Sequence, residues 1–419
     1  MGMTISEKII AAHAGKERVA PGEIVTVSVD VSMVNEMGGA GCLRMLEDLG
    51  TEKKFADPKK AVIVADHLTP NRDIAAAEWV KYARDRAGIY GFQFYEMGNG
   101  GIEHVILPEK GMVRPGMVAI AADSHTTTYG ALGLFSTGVG STDLAAIWAL
   151  GRTWLKVPEA IKVTFSGKRQ PWVSGKDLIL YLIGQIGVDG ARYKTLEYRG
   201  DTVDGLDMAD RFAIANMSVE AGAKNGVFHV DEKTEAYVKS ATSESYTIYA
   251  SDEDAVYAQE LSFRSEEIEP QVAYPDLPSN THPVSEAEGI RIDQVVIGSC
   301  ANGRLEDLKT AAALFDGREV AAGTRCIVIP GSQKVYLDAL KSGVLETLAE
   351  AGCVVAAPTC GPCFGGYMGI LAANETCLST TTRNFTGRMG DPTSKVYLGS
   401  PAVAAATAIR GAIAHPDNI

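Results

Sequence analysis

The stretch Val295-Val296-Ile297-Gly298-Ser299-Cys300-Ala301-Asn302-Gly303-Arg304 contains the repeating unit of the fold. A short apolar run ends in small and polar residues, and a helical pattern over Leu305–Phe315 follows. Continuous apolar runs of this length suit strands buried on both faces, as in parallel sheets covered by helices. The unit recurs along the chain. Residues 61–65 run into Asp66-His67, and residues 117–121 run into Asp123-Ser124-His125. Residues 326–329 run into Pro330-Gly331-Ser332, and residues 353–356 lead to Cys360. Further helical patterns cover 74–87 and 334–351. The fold class predicted is therefore α/β. In open α/β sheets, ligands bind beyond the carboxyl ends of the strands. These strand ends carry Asp, His, Ser or Cys, which predicts one shared site.

Boundaries follow from proline. Val157-Pro158 closes a helical stretch and opens a strand-like run at 161–165. Residues 267–283 hold Pro270, Pro275, Pro278 and Pro283 and read as a linker. Breaks near 158 and 285 give three α/β domains. Residues 1–157 carry the Asp/His groups, 158–285 a helix with Asn216 and Glu220, and 286–419 the remaining cysteines and an arginine loop.

The chain has 419 residues, 46% hydrophobic and 22% charged, as expected of a soluble globular protein. Its net charge of −13 argues against nucleic acid as the main partner, since phosphate binding needs a basic surface. A local arginine pocket for a small anion stays compatible with that charge. Seven cysteines, odd and sparse, do not form a secreted disulfide framework. No secretory apolar segment opens the sequence, and no run approaches the roughly 18 apolar residues of a membrane span. Gly2 followed by Ser6 fits only a short, unspecific myristoylation pattern. A reducing cytoplasm, without membrane, is the expected location. A P-loop, a dinucleotide fingerprint and a nucleophile elbow are all absent; Gly138-Val139-Gly140 lacks the third glycine.

The chemistry-bearing residues fall into four groups. Cys300 and the pair Cys360-Gly361-Pro362-Cys363 supply three thiolates, enough for an iron–sulfur cluster with one open iron. Structural zinc is an alternative that lacks an obvious fourth ligand nearby, and three inert buried thiols are another. The small residues of Phe364-Gly365-Gly366 would let backbone wrap closely around a bulky group. Cys42, Cys326, Cys353 and Cys377 lie in apolar or helical contexts and read as packing. Asp66-His67 and Asp123-Ser124-His125 pair carboxylate with imidazole, which fixes a tautomer and raises basicity; His104 can join them. Each is also consistent with a plain hydrogen-bonded histidine. Asn216 and Glu220 fall at i and i+4 of a helical pattern, on one face, which is more often solvated surface. Arg383 and Arg388, around Asn384 and Gly387, either clamp carboxylates or form a basic surface loop.

Taken together these segments resemble the aconitase superfamily, most closely its branch of 3-isopropylmalate dehydratase and homoaconitase large subunits. The most specific pieces are Gly298–Arg304 in the order quoted, Pro358-Thr359-Cys360-Gly361-Pro362-Cys363, Ala122-Asp123-Ser124-His125-Thr126 and Arg383-Asn384-Phe385-Thr386-Gly387-Arg388. The resemblance runs from Met3 to Pro401. It implies three α/β domains around a 4Fe–4S cluster held by Cys300, Cys360 and Cys363. It implies catalytic roles for Asp66, His67, His104, Asp123, His125 and Glu220, and substrate contacts for Ser124, Asn216, Arg383 and Arg388. It also implies a separate small subunit carrying the catalytic serine, and a 2-hydroxy dicarboxylate substrate. 3-Isopropylmalate, an intermediate on the way to leucine, comes first. Departures from the family pattern at Asn35-Glu36-Met37-Gly38, Ala301 and Glu103 keep 2,3-dimethylmalate, homocitrate and methylmalate open. Two other classes stand beside this one: an apo-form RNA-binding iron sensor, disfavoured by the acidic charge, and a binding protein with a purely structural cluster.

Overall fold

The computed structural model describes residues 2–50 and 54–419; Met1 and residues 51–53, within the first expected domain, lie outside the described residues. Three sheets carry the chain. The first is five-stranded and parallel, in the spatial order Gln93–Tyr95, Ala61–Val64, Val31–Asn35, Val118–Ala121, Phe135–Gly138. The second is four-stranded and parallel, in the order Asn225–Phe228, Thr195–Arg199, Ala160–Ser166, Gln259–Arg264. The third has seven strands: Thr281–Pro283, Gln271–Ala273, Lys395–Gly399, Thr376–Ser379, Gln294–Ile297, Arg325–Val328, Val354–Val355. Gln271–Ala273 pairs antiparallel with both of its neighbours, and the remaining pairings are parallel. A two-stranded antiparallel ribbon, Ile24–Ser28 with Arg152–Lys156, lies apart.

The strand ends predicted from apolar runs lie within a residue or two of the observed ones, because these strands are buried throughout. The helices carry local start and stop signals. Asp73 caps Ile74–Tyr90, and Gly91 ends it at φ +77, three residues beyond the expected stop. Leu305–Phe315 forms as expected. The single helix expected over 334–351 is two, Gln333–Lys341 and Val344–Glu350. Gly343 between them adopts φ +77, a left-handed conformation that a helix interior does not contain.

The proline-bearing stretch 267–283 is not a free linker. Gln271–Ala273 and Thr281–Pro283 hydrogen-bond into the last sheet, and residue 285 lies in the short helix Val284–Ala287 that follows them. The sheets also share a core. One buried apolar cluster joins Val31, Met33 and Val62 of the first sheet to Ile161, Phe165 and Leu196 of the second and to Val296, Ile327 and Leu398 of the third. Close packing between sheets transmits little slack, so the strand ends are held in fixed relation to one another.

Candidate active site

Two of the sheets have the doubly wound order, and each places a site loop at its switch point. In the first, the chain moves outward from Val31–Asn35 to Ala61–Val64 and Gln93–Tyr95, then returns to the other side at Val118–Ala121. Glu36, Asp66-His67 and Asp123–His125 follow those three central strands. In the third, Gln294–Ile297 and Thr376–Ser379 flank the switch, and the loops after them carry Cys300 and Thr380–Arg388. The loop after Ile329 does not join the site. Ser332 caps Gln333–Lys341 and donates to Glu109, while Gly331 pairs with Gly303.

Around the first switch point, carboxylates and imidazoles form an enclosed array. His67 Nδ1 lies 2.7 Å from Asp66 Oδ1. Burial works to lower the pKa of His67, but Asp66, with Glu36 and Asp123, outweighs it and raises it to about 9. His104 places Nε2 2.8 Å from Asp123 Oδ1 and Nδ1 3.1 Å from the Tyr129 hydroxyl. A single tautomer satisfies both contacts, with Nε2–H donating to Asp123 and the tyrosine donating to Nδ1. Burial opposes ionisation of Asp123, yet His104, His125 and His67 hold it well below the usual carboxylate range. His125 donates its backbone N–H to Asp123 Oδ1 and sets Nε2 2.8 Å from Glu220 Oε1. Arg383 Nε donates to the same Glu220 oxygen at 2.8 Å. Although burial pushes Glu220 up, His125 and Arg383 together bring it below its ordinary value.

The thiols meet this array from the other side. The backbone N–H of Cys360 donates to the Asp66 carbonyl at 2.7 Å, as does the Thr359 hydroxyl at 2.9 Å. Cys360 and Cys363 interact across one 3₁₀ turn, and the Cys360 thiol, Arg388 and His125 together push Cys363 well below the ordinary thiol range against its burial. Arg388 Nε donates to the Cys363 carbonyl at 3.0 Å. Asn216 Nδ2 lies 3.2 Å from Cys300 Sγ and 2.8 Å from Thr128 Oγ1. The His67 ring packs 5.1 Å from that of Phe364, in the cysteine loop.

Twelve of the thirteen residues singled out from the sequence are tied into this network through the contacts above. The exception is Ser124. It lines a neighbouring cavity of about 600 Å³, bounded also by Asp123, Tyr193 and Lys224, which the cysteines do not reach. Asn216 and Glu220 are not on a solvated helix face. The α-helix Met208–Met217 gives way to a 3₁₀ turn, Ser218–Ala221, and both side chains are buried. Gly365 and Gly366 are required by contacts within the protein. A Cβ on Gly365 would lie 2.7 Å from the Arg388 carbonyl, and one on Gly366 would strike the Phe364 ring. Cys42, Cys326, Cys353 and Cys377 lie in apolar core, as expected.

Three further residues shape the site without having been assigned a role in it from the sequence. Glu36 accepts from the backbone N–H groups of Asp66, His67 and Leu68 at 3.1, 3.1 and 2.6 Å, holding that turn in shape. Glu103 is buried between Asp66 and Asp123, and burial and those like charges push it well above its ordinary value. Arg304 stacks 4.1 Å over Phe212 and donates to the Cys300 carbonyl at 3.0 Å. Glu36 and Glu103 were legible only as departures from a family pattern.

The donor set fits a cluster with three protein ligands. All three thiols are free, and soft thiolates select iron–sulfur or zinc. Beside Cys300, Asn216 Oδ1 is buried without a partner, a polar atom left free at the edge of the thiol group.

A doubly wound α/β protein with three thiols facing an acid–imidazole array defines an enzyme-like class. The comparisons narrow it. The model of the Aconitase family (aconitate hydratase) matches residues 7–411, and the chain belongs to that family. It is 54% identical over 420 residues to the 3-isopropylmalate dehydratase large subunit of Sulfurihydrogenibium sp. (strain YO3AOP1), covering 100% of this chain and 97% of that one. It is equally 54% identical over 420 residues to the protein of the same name from Moorella thermoacetica, with all of both chains covered. A solved structure of holo-form aconitase X from Thermococcus kodakaraensis aligns with a TM-score of 0.48 at 13% identity, over 91% of this chain and 93% of that one.

Proposed function

We propose that this chain is the large subunit of an iron–sulfur hydro-lyase that dehydrates and isomerises 3-isopropylmalate. The observation that carries this reading is Asp66. Its side chain holds His67 at 2.7 Å and its carbonyl holds Cys360 at 2.7 Å, so the acid–imidazole pair and the cysteine loop are fixed to one residue. Full-length identity to relatives bearing the dehydratase name supports the substrate.

Cys300, Cys360 and Cys363 would hold a 4Fe–4S cluster, which when bound supplies an open Lewis-acid iron that polarises a substrate hydroxyl. The rest falls to side chains. With its pKa near 9, His67 is an imidazolium at neutral pH. Asp66 occupies Nδ1, leaving Nε2–H to deliver a proton to the departing hydroxide. Asp123 holds His104 and the backbone of His125, and His125 with Arg383 keeps Glu220 ionised. Arg383 uses Nε on Glu220, so its terminal nitrogens are left to take a substrate carboxylate. The base that removes the α-proton is, on this proposal, a serine of a separate small subunit.

The test is anaerobic reconstitution with iron and sulfide, co-purification with a small subunit, and a substrate panel of 3-isopropylmalate, 2,3-dimethylmalate, homocitrate and methylmalate. Dehydration selective for 3-isopropylmalate is expected. Selectivity for another acid overturns the substrate, and no dehydration of any overturns the hydro-lyase.

A further inference from the structure

Lys176 is a charged group that the acid–imidazole chemistry leaves unused. It lies in the first turn of Gly175–Ile186, a helix packed on Gln271–Ala273 and Thr281–Pro283 of the third sheet, and is 0% exposed. Its Nζ donates to the carbonyls of Thr380 at 3.1 Å and Thr381 at 2.5 Å, at the switch point of the third sheet. Neither acceptor carries a formal charge. Among the described residues no carboxylate forms an ion pair with it, and the adjacent Asp177 is committed elsewhere. Asp177 accepts from Ser174 N and Oγ at 2.8 and 2.7 Å and from Gln271 N at 2.9 Å. An ammonium buried without a counter-charge is strongly disfavoured, so a negative group is needed nearby.

The two carbonyls locate it. That of Thr380 also accepts from the Ser299 hydroxyl at 3.2 Å, next to Cys300. Thr381 precedes Thr382, whose Oγ1 lies 3.9 Å from Cys363 Sγ. The ammonium therefore sits where the two cysteine loops meet. Burial pulls its pKa down to about 8, and the leading opposing influences are Cys300 and Cys363.

We propose that Lys176 is the buried counter-charge of the cluster held by Cys300, Cys360 and Cys363, and sets how readily that cluster is oxidised and gives up its unliganded iron. The proposal rests on the cluster reading above. The step it governs is balanced with a one-electron oxidant such as ferricyanide. A 4Fe–4S(2+) cluster loses one electron to the oxidant, becomes 4Fe–4S(3+), and releases Fe(2+) to leave 3Fe–4S(1+). A nearby positive charge opposes the loss of that electron.

The experiment uses the reconstituted full chain in four forms: wild type, K176M, K176Q and K176R. Gln keeps donors for the two carbonyls without charge, and Arg keeps the charge. Iron and sulfide content, EPR-monitored redox titration of the 3Fe–4S couple and the rate of iron loss to ferricyanide are read for each. In K176M and K176Q the potential should move negative by on the order of tenfold in the redox equilibrium, about 59 mV for one electron. Iron loss should quicken by roughly the same factor, the scale of one nearby unit charge. K176R should stay near wild type. If K176M fails to fold, K176Q decides. Unchanged potentials in a loaded neutral variant, or equal shifts in K176R and K176Q, would show that Lys176 only ties the loops and overturn the proposal. A wild-type chain that takes up no cluster overturns the cluster reading itself, and is seen before any variant is compared.

Discussion

Asp66 serves the two halves of the site through different atoms, and Glu36 holds it in place for both. Ala at position 36 would leave the three backbone N–H groups of 66–68 buried without an acceptor. Each such group costs about 1–3 kcal/mol, so Glu36→Ala should lose on the order of 3–9 kcal/mol in urea melts of the apo chain. An unchanged midpoint would show that the turn finds other acceptors. His67 makes a pH prediction. Its folded pKa of about 9 lies above the ordinary 6.5, so it contributes stability fully present below about pH 6.5 and lost as pH rises through about 9. The amplitude is on the order of 3 kcal/mol. Melts of the apo chain across that window should show the decline, and His67→Gln should remove it. An identical slope in the variant would contradict the assignment. For the loaded enzyme, Asp66→Asn should cut kcat by roughly 10²–10⁴, the usual worth of a positioned acid. Asp66, His67 and Asp123 were legible as strand-end residues, but Glu36 showed only as a departure from the family pattern, because a carboxylate that binds backbone leaves no pattern in spacing.

At the scale of elements, the turn after Gln294–Ile297 is the most constrained. Gly298 adopts φ +115, and a Cβ there would come 2.0 Å from the Ile329 carbonyl of the next strand's end. Gly298→Ala should therefore displace the Cys300 loop while leaving the sheet folded. The expected outcome is native-like far-UV circular dichroism with cluster content reduced to a minor fraction. Full loading would mean that the loop tolerates the shift. Elements differ in how plainly they read. Leu305–Phe315 was recoverable from its period because its buried face is regular. The change from α to 3₁₀ at Ser218 was not, whereas the break at Gly343 is a local glycine stop signal that the longer apolar period masked. The 267–283 stretch shows the same limit. Prolines suit edge strands as well as linkers, and only pairing with Lys395–Gly399 distinguishes them here.

For the whole molecule, one core spanning three sheets fixes the separation between Asp66, Asn216 and Cys300, which lie in different sheets' loops and helices. The chain alone should load a cluster yet turn over 3-isopropylmalate very poorly, with activity restored by a small subunit that supplies the base. Kinetics with and without that partner check this, and full activity of the isolated chain would place the base within it. By itself the sequence determined the α/β class, the strand-end clustering of reactive residues and the cysteine triad, because buried parallel strands and thiolate ligands leave short, local signatures. Only the tertiary structure decided that Asp66 bridges imidazole and cysteine loop, that Asn216 touches Cys300, that Glu103 lies buried among carboxylates and that Lys176 is buried where the cysteine loops meet. Those relations join residues far apart in the chain, and burial and charge between such residues exist only once the sheets have packed.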